Sequence, residues 1–327
     1  MTDLRTSHFD FELPPELIAR HPLADRQASR MLVVDRAAGT ISHQQFTDLP
    51  SHLRPGDRLV LNDTRVLPAR FFSNDGRTEL LRLDHTDPLL WRCLVRPGKR
   101  MKIGRTIAIG ESTGTVTDID PEGNRLISWD SPVDETTHGR LALPPYIDRQ
   151  QEEADRDRYQ TVFAKQDGAI AAPTAGLHFT SELLATQPHS FLTLHVGIGT
   201  FRPVSVEDPR EHRMHEEHFT LDATAAAEIN AARRVVAVGT TVTRTLEHLG
   251  RQGKPLTAAS GSTDIFIYPP FQFQIVDALL TNFHLPKSTL LMLVSALASR
   301  ELILEAYHQA VRERYRFYSY GDCMLIL

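Results

Sequence analysis

Apolar residues come in short runs along this chain, and the texture between the runs changes twice. Up to residue 68, Met31 to Asp35 and Arg58 to Leu61 read as strands buried on both faces, being continuous and rich in leucine and valine. Gly39 turns the first into a weaker extended run at Thr40-Ile41. Pro14-Pro15-Glu16 predicts a short helix that Arg20-His21-Pro22 ends. From residue 69 to 143 the runs shorten and alternate: Glu79 to Leu83, Leu90 to Val95, Thr106 to Ile109, Thr115 to Ile119 and Leu126 to Trp129. Gly, Asp, Asn and Pro separate them at short intervals, which predicts a small all-β unit, a barrel. Beyond residue 144, helical periodicity returns. Helices are predicted over Asp155 to Ala164, from Ser181 through Leu184, from an Asp222 cap to Arg234, and over Val242 to Leu249, Leu290 to Ser299 and Arg300 to Arg314. Strands are predicted at Phe191 to Leu194, Val235 to Val238 and Asp264 to Ile267. The expected fold class is therefore α/β. Residues 1–68 and 144–327 form a core with a layered parallel or mixed sheet, and a β-barrel at 69–143 is inserted in it.

Composition narrows the classes. The chain of 327 residues is 41% hydrophobic and 24% charged, a globular balance with no tract long enough to span a bilayer. Charges in MTDLRTSHFDFELP leave no room for a signal peptide, and two cysteines, Cys93 and Cys323, exclude a disulfide framework. A cytoplasmic protein is expected. The net charge of -5 argues against a uniformly basic surface, so any polyanion must meet a local patch. One candidate is the predicted barrel, where Arg92, Arg96, Lys99, Arg100, Lys102 and Arg105 occur with no acidic residue between Asp87 and Glu111.

The candidate chemistry gathers in Ala171 to Val204. Pro173-Thr174-Ala175-Gly176 turns the chain into His178, and the strand ending at Leu194 delivers His195, followed by Gly197, Gly199 and Thr200. Ligands in open α/β sheets sit beyond the carboxyl ends of strands, so the two turns read as two walls of one pocket. Asn62-Asp63-Thr64-Arg65 ends another predicted strand and is a further polar cluster. No P-loop, G-x-G-x-x-G, H-E-x-x-H or G-x-S-x-G is present. His212, His215 and His218 recur at steps of three but lack a recognised zinc spacing, so no metal site is expected.

Read together, PARF, AAPTAGLHF, LHVGIGTFRPV, RMHEEHF, AVGTT, DIFIYPPFQF, LLTNFHLPKSTLLMLVSALA and YRFYSYGDCMLIL resemble the QueA family, the S-adenosylmethionine:tRNA ribosyltransferase-isomerases of queuosine biosynthesis. The resemblance covers essentially the whole chain. It implies that the ribosyl group of S-adenosylmethionine moves to 7-aminomethyl-7-deazaguanine at the tRNA wobble position, giving epoxyqueuosine, adenine and methionine. S-adenosylmethionine is then a cosubstrate and no cofactor is bound permanently, since the sulfonium acidifies the C5′ hydrogen and makes methionine a neutral leaving group. Proton transfer falls to His178, His195 or His215, with Glu216 and Asp322 as carboxylate alternatives. The substrate positions implied are Asn62, Thr64, Arg65, Pro173, Thr174, Ala175, Gly176, Gly197, Gly199, Thr200 and Phe201. Further along they are Thr240, Thr241, Arg244, Asn282, Phe283, His284, Ser288 and Tyr320. Among the departures from the family pattern, Asp63 replaces a frequent second Asn, Pro270 replaces a usual Gly, and Thr240-Thr241-Val242-Thr243 changes the residues leading to Arg244. The expected partner is tRNA, bound by the barrel's basic run, with no membrane, no obligate protein partner and a monomeric state. The alternatives are a non-catalytic tRNA-binding protein and an atypical S-adenosylmethionine-dependent tRNA methyltransferase.

Overall fold

The computed structural model describes residues 4–197, 199 and 204–327. Its strands in chain order are β1 (Arg30–Asp35), β2 (Thr40–Gln45), β3 (Asp57–Asn62), β4 (Thr64–Val66), β5 (Arg70–Phe72), β6 (Glu79–Arg82), β7 (Leu90–Arg96), β8 (Thr106–Ile109) and β9 (Ser112–Ile119). They continue as β10 (Arg125–Trp129), β11 (Gln166–Ala169), β12 (His189–Leu194), β13 (Glu217–Leu221), β14 (Arg234–Val238), β15 (Ala259–Thr263), β16 (Ala278–Asn282) and β17 (Cys323–Ile326). A nine-stranded mixed sheet has the order β15-β13-β12-β3-β14-β16-β17-β1-β2. In it β12, β3, β14 and β16 run parallel, whereas β17 and β1 run the other way. One edge of the sheet therefore collects the carboxyl ends Asn62, Leu194, Val238 and Asn282 together with the starts of β17 and β1.

Strand alternation divides the core into two layers. Val33, Leu59, Leu61, Val236, Val238, Leu280 and Leu325 face a layer containing Phe46, Phe179 and Leu184. Val34, Val60, Ala237, Leu279, Met324 and Ile326 face the opposite layer, packed by the helices Thr240–Gln252, Thr289–Leu297 and Arg300–Arg312. Each fully buried aliphatic side chain contributes roughly 1.5–3 kcal/mol, so these layers fix the sheet edge that carries the polar residues. Glu247 secures the first of those helices: its buried carboxylate accepts the amides of Gln274, Ile275 and Val276 at 2.7, 2.9 and 2.8 Å.

The inserted unit is a six-stranded antiparallel sheet, β5-β6-β7-β10-β9-β8, curled around Phe71, Trp91, Cys93, Ile107, Val116 and Trp129. Asn74 draws its two edges together. Its amide donates to Ala108 O at 2.9 Å, and its side chain exchanges two 2.8 Å bonds with the Gly110 backbone. The expected α/β core with an inserted barrel is what the chain forms.

Several element boundaries differ from expectation. The helix expected over Asp155 to Ala164 is confined to Asp155–Arg158. Gln160 diverts the chain, because its side-chain amide pairs with both backbone groups of Val66, at 2.9 and 3.1 Å, as a peptide would. The strand expected at Asp264 to Ile267 lies earlier, at β15, since Ile265 N bonds Thr263 Oγ1 and Ile265 O accepts from Arg244 instead of a neighbouring strand. The helix expected after Pro14 is a single 3-10 turn, Pro15–Leu17, beyond which Ile18 bridges Phe317. Among the described residues no helix is long and apolar enough to cross a membrane.

Candidate active site

At the collecting edge of the sheet lies a cleft of about 950 Å³, its mouth included. Each wall follows from a strand end. After β14, Gly239 adopts φ +96° and opens the helix Thr240–Gln252, so Thr240 and Thr241 present hydroxyls at a helix N-terminus. After β16 come Asn282, Phe283, His284 and Ser288. Ser288 caps the next helix by accepting the Leu291 amide at 3.1 Å, and Thr289 opens that helix. Pro173, Thr174 and Ala175 form the facing wall, with Tyr146, Tyr159, Tyr318 and Ser319 beside them. Tyr146 and Tyr318 pack with ring centroids 4.5 Å apart, and the Tyr146 hydroxyl meets Ser319 at 2.5 Å. The cleft is thus largely apolar and aromatic with a few hydroxyl and amide groups, the composition that suits a flat heterocycle with ring substituents.

A second cavity adjoins it, since Thr289 and Leu290 line both. Gly199, His212, Met214, His215, Glu217 and Arg244 line its interior, with Glu122 of the barrel and Glu211. A Cβ at Gly199 would lie 2.6 Å from the His215 ring, so glycine is what permits this approach. Glu217 is buried; it pairs with Arg244 and accepts the Gly197 amide at 3.1 Å.

The three candidate histidines occupy different settings. His178 is enclosed: Nδ1 meets Ser29 Oγ at 2.9 Å and Nε2 meets Asn282 Oδ1 at 3.3 Å, so it stands one layer behind the cleft. Burial lowers its pKa to about 4, which keeps it neutral. Asn282 in turn donates to Tyr318 O at 2.9 Å. His195 lies beside the cleft without lining it, its Nδ1 2.8 Å from Thr64 Oγ1 and its ring against Gly168, where a Cβ would come within 2.8 Å. Burial lowers its pKa as well, opposed by the charge of Asp63. His215 is the one of the three that faces an open cavity.

The carboxylates divide similarly. Glu216 is exposed, near Ser262 at 3.4 Å, whereas its neighbour Glu217 points inward. Asp322 is buried and clamps two backbone amides, Arg30 at 2.9 Å and Arg316 at 2.8 Å; burial raises its pKa. Asn62 also serves the frame. Its side-chain amide accepts from Leu194 N at 3.0 Å and donates to Leu194 O at 2.9 Å, extending the β3–β12 ladder past its last paired residues. Thr64 bonds His195, and Arg65 is exposed on Ala164 O and Asp167. Gly176 packs under Phe163 and Thr161, Gly197 joins Glu217, and Tyr320 donates to Asp155 at 2.7 Å, away from either cavity. Thr200 and Phe201 lie outside the described residues. Tyr146, Tyr159, Thr289 and Glu217 were not singled out from the sequence, and His212 was weighed there only as a metal ligand; of these Glu217 was legible, because Phe219 and Leu221 share its face of an alternating strand.

All six basic residues of the barrel run are exposed. Arg92 is held by Asp120 at 2.9 Å and Glu122 at 3.5 Å; the other five form no ion pair among the described residues. His212 and His215 share the second cavity while His218 is exposed on β13, and no group of three His, Cys, Asp or Glu among the described residues is arranged to hold a metal ion.

The chain matches the family model described as queuosine biosynthesis protein over residues 6–326. It is 51% identical to the S-adenosylmethionine:tRNA ribosyltransferase-isomerase of Symbiobacterium thermophilum and 49% identical to that of Moorella thermoacetica, each over 99% of this chain and 100% of the relative. A solved structure, the S-adenosylmethionine tRNA ribosyltransferase of Thermotoga maritima, is 36% identical with a TM-score of 0.58, covering 98% of this chain and 100% of that one. Full-length identity of this order is decisive: the chain belongs to the S-adenosylmethionine:tRNA ribosyltransferase-isomerases of queuosine biosynthesis.

Proposed function

We propose that the ribosyl transfer of this family takes place where the two cavities meet, with adenosine in the aromatic cleft and His215 as the base that takes the C5′ proton. The observation that carries the assignment is the contrast among the histidines. His178 has both ring nitrogens engaged and His195 has Nδ1 on Thr64, whereas His215 borders open space beside Gly199. A base must reach its proton before its pKa matters. In this reading Thr240, Thr241, Asn282 and Ser288 orient the nucleoside. His178 holds Asn282 in one orientation, and the acceptor is the free amine of 7-aminomethyl-7-deazaguanine at the wobble position. The protein acts in the cytosol as a monomer, with tRNA as its macromolecular partner and no permanently bound cofactor.

The test is product analysis. Purified protein, S-adenosylmethionine and tRNA bearing that base should yield adenine and methionine in equal amounts. A chelator should leave the rate unchanged, because the sulfonium itself supplies the electrophilic activation. S-adenosylhomocysteine as the product would mean methyl transfer; no turnover with intact tRNA binding would mean a binding protein.

A further inference from the structure

Arg244 is 5% exposed, and two of its three guanidinium nitrogens are committed. Nε donates to Ile265 O at 3.2 Å and Nη1 to Glu217. Nη2 is buried without a hydrogen-bond partner among the described residues. Leaving a buried charged donor unmade is costly, and native structures rarely carry one without a purpose. Arg244 lines the second cavity, so a ligand entering there comes up against the side chain that carries this nitrogen.

The surroundings specify what that ligand presents. One free nitrogen, with Nη1 already taken, suits a single oxygen of a carboxylate better than the forked grip that Arg offers a phosphate. Glu217 beside it disfavours a doubly charged group. The depth of Arg244 requires the slender end of a small molecule and excludes a nucleic-acid backbone. At the rim are two exposed carboxylates, Glu122, which also pairs with Arg92, and Glu211, with one exposed cation, Arg213, and the carboxylates are suited to a cationic amine. Buried cation within and carboxylates outside together complement a zwitterionic amino acid.

We propose that Arg244 Nη2 receives the α-carboxylate of the methionine part of S-adenosylmethionine, with the α-ammonium toward Glu122 and Glu211. Thr289 and Leu290 then mark the passage of the sulfonium between the two cavities, and the adenosyl group continues into the aromatic cleft. The assignment rests on S-adenosylmethionine being the ribosyl donor. It gives Arg244 a purpose that the Glu217 ion pair alone does not supply.

The experiment compares two ligands on two proteins by titration calorimetry. The ligands are S-adenosylmethionine and its decarboxylated analogue, which keeps the sulfonium and the amine. Wild-type protein should bind the carboxylated ligand about 10- to 100-fold more tightly, the range of one charge-assisted hydrogen bond. In Arg244→Gln the two affinities should converge. Arg244→Lys, which preserves the charge opposite Glu217, provides the same comparison if the glutamine variant does not fold, and should show a reduced preference. Undiminished preference in the folded variant, or none in the wild type, overturns the assignment. Wild-type protein that binds neither ligand and releases no adenine overturns the proposed function, and this inference with it.

Discussion

His178 and His284 are buried histidines whose pKa values burial lowers to about 4 and about 3. An unfolded histidine titrates near ~6.5, so between these values the unfolded chain binds protons that the native state refuses. The stability each contributes is complete above about pH 6.5 and is lost as pH falls toward about 4 for His178 and about 3 for His284. Depressions of this size correspond to roughly 3 kcal/mol for His178 and roughly 5 kcal/mol for His284. Urea unfolding at about pH 7.5 and about pH 4.5 should therefore show a smaller acid loss for His178→Gln than for the wild type; equal losses would contradict a neutral buried His178. His215 makes the opposite test. His215→Ala should lower turnover by ~10²–10⁴-fold while leaving the affinity for S-adenosylmethionine near normal, as removal of a positioned base does. Wild-type turnover in that variant would remove it from the chemistry. The histidines themselves were visible in the sequence, but their sorting was not, because spacing along the chain carries no information on which ring ends up behind Asn282 and which beside a cavity. Asp322 shows the same limit: its motif was legible, its work as a clamp on Arg30 and Arg316 amides was not.

At the scale of elements, the barrel strands β6 to β10 and the strands β1, β3, β12 and β14 follow the hydrophobic pattern, because each is a short run closed by turn residues. β16 and β17 escaped it. Ala-Leu-Leu-Thr-Asn and Cys-Met-Leu-Ile carry few β-branched residues, and their strand character comes from burial on both faces in the middle of the sheet. Gly321 marks the entry to β17 for a steric reason, since a Cβ there would fall 2.4 Å from Arg316 O. The basic run belongs to β7, the turn after it and the start of β8. Arg92 is neutralised by Asp120 and Glu122, which leaves Arg96, Lys99, Arg100, Lys102 and Arg105 exposed, and the first four of these are the charges to test. Beside them Ile103 is 62% exposed, an apolar surface available to a stacked base or a sugar. Changing the four cations together to Ser should weaken tRNA binding and flatten its dependence on salt by about 0.7–0.9 logarithmic unit for each phosphate no longer neutralised. An unaltered salt slope would move the RNA to the core.

For the whole molecule, the core is assembled from distant parts of the chain. β1 pairs with β17, and Asp322 reaches Arg30 across 292 positions, whereas the barrel strands pair with near neighbours. Local pairings close small loops and form early; the sheet must wait for long ones. Trp91 and Trp129, the only two tryptophans in the sequence, pack 4.9 Å apart inside the barrel. Intrinsic indole fluorescence therefore watches the insertion and is nearly blind to the nine-stranded sheet. A denaturant titration followed by that emission should give a different midpoint from one followed by loss of adenine release, and after dilution the emission should recover before the activity does. Superimposable curves would show barrel and core melting as one cooperative unit. The colour of the emitted light thus reports on the inserted barrel, and an assay for the enzyme's integrity has to be read from its products.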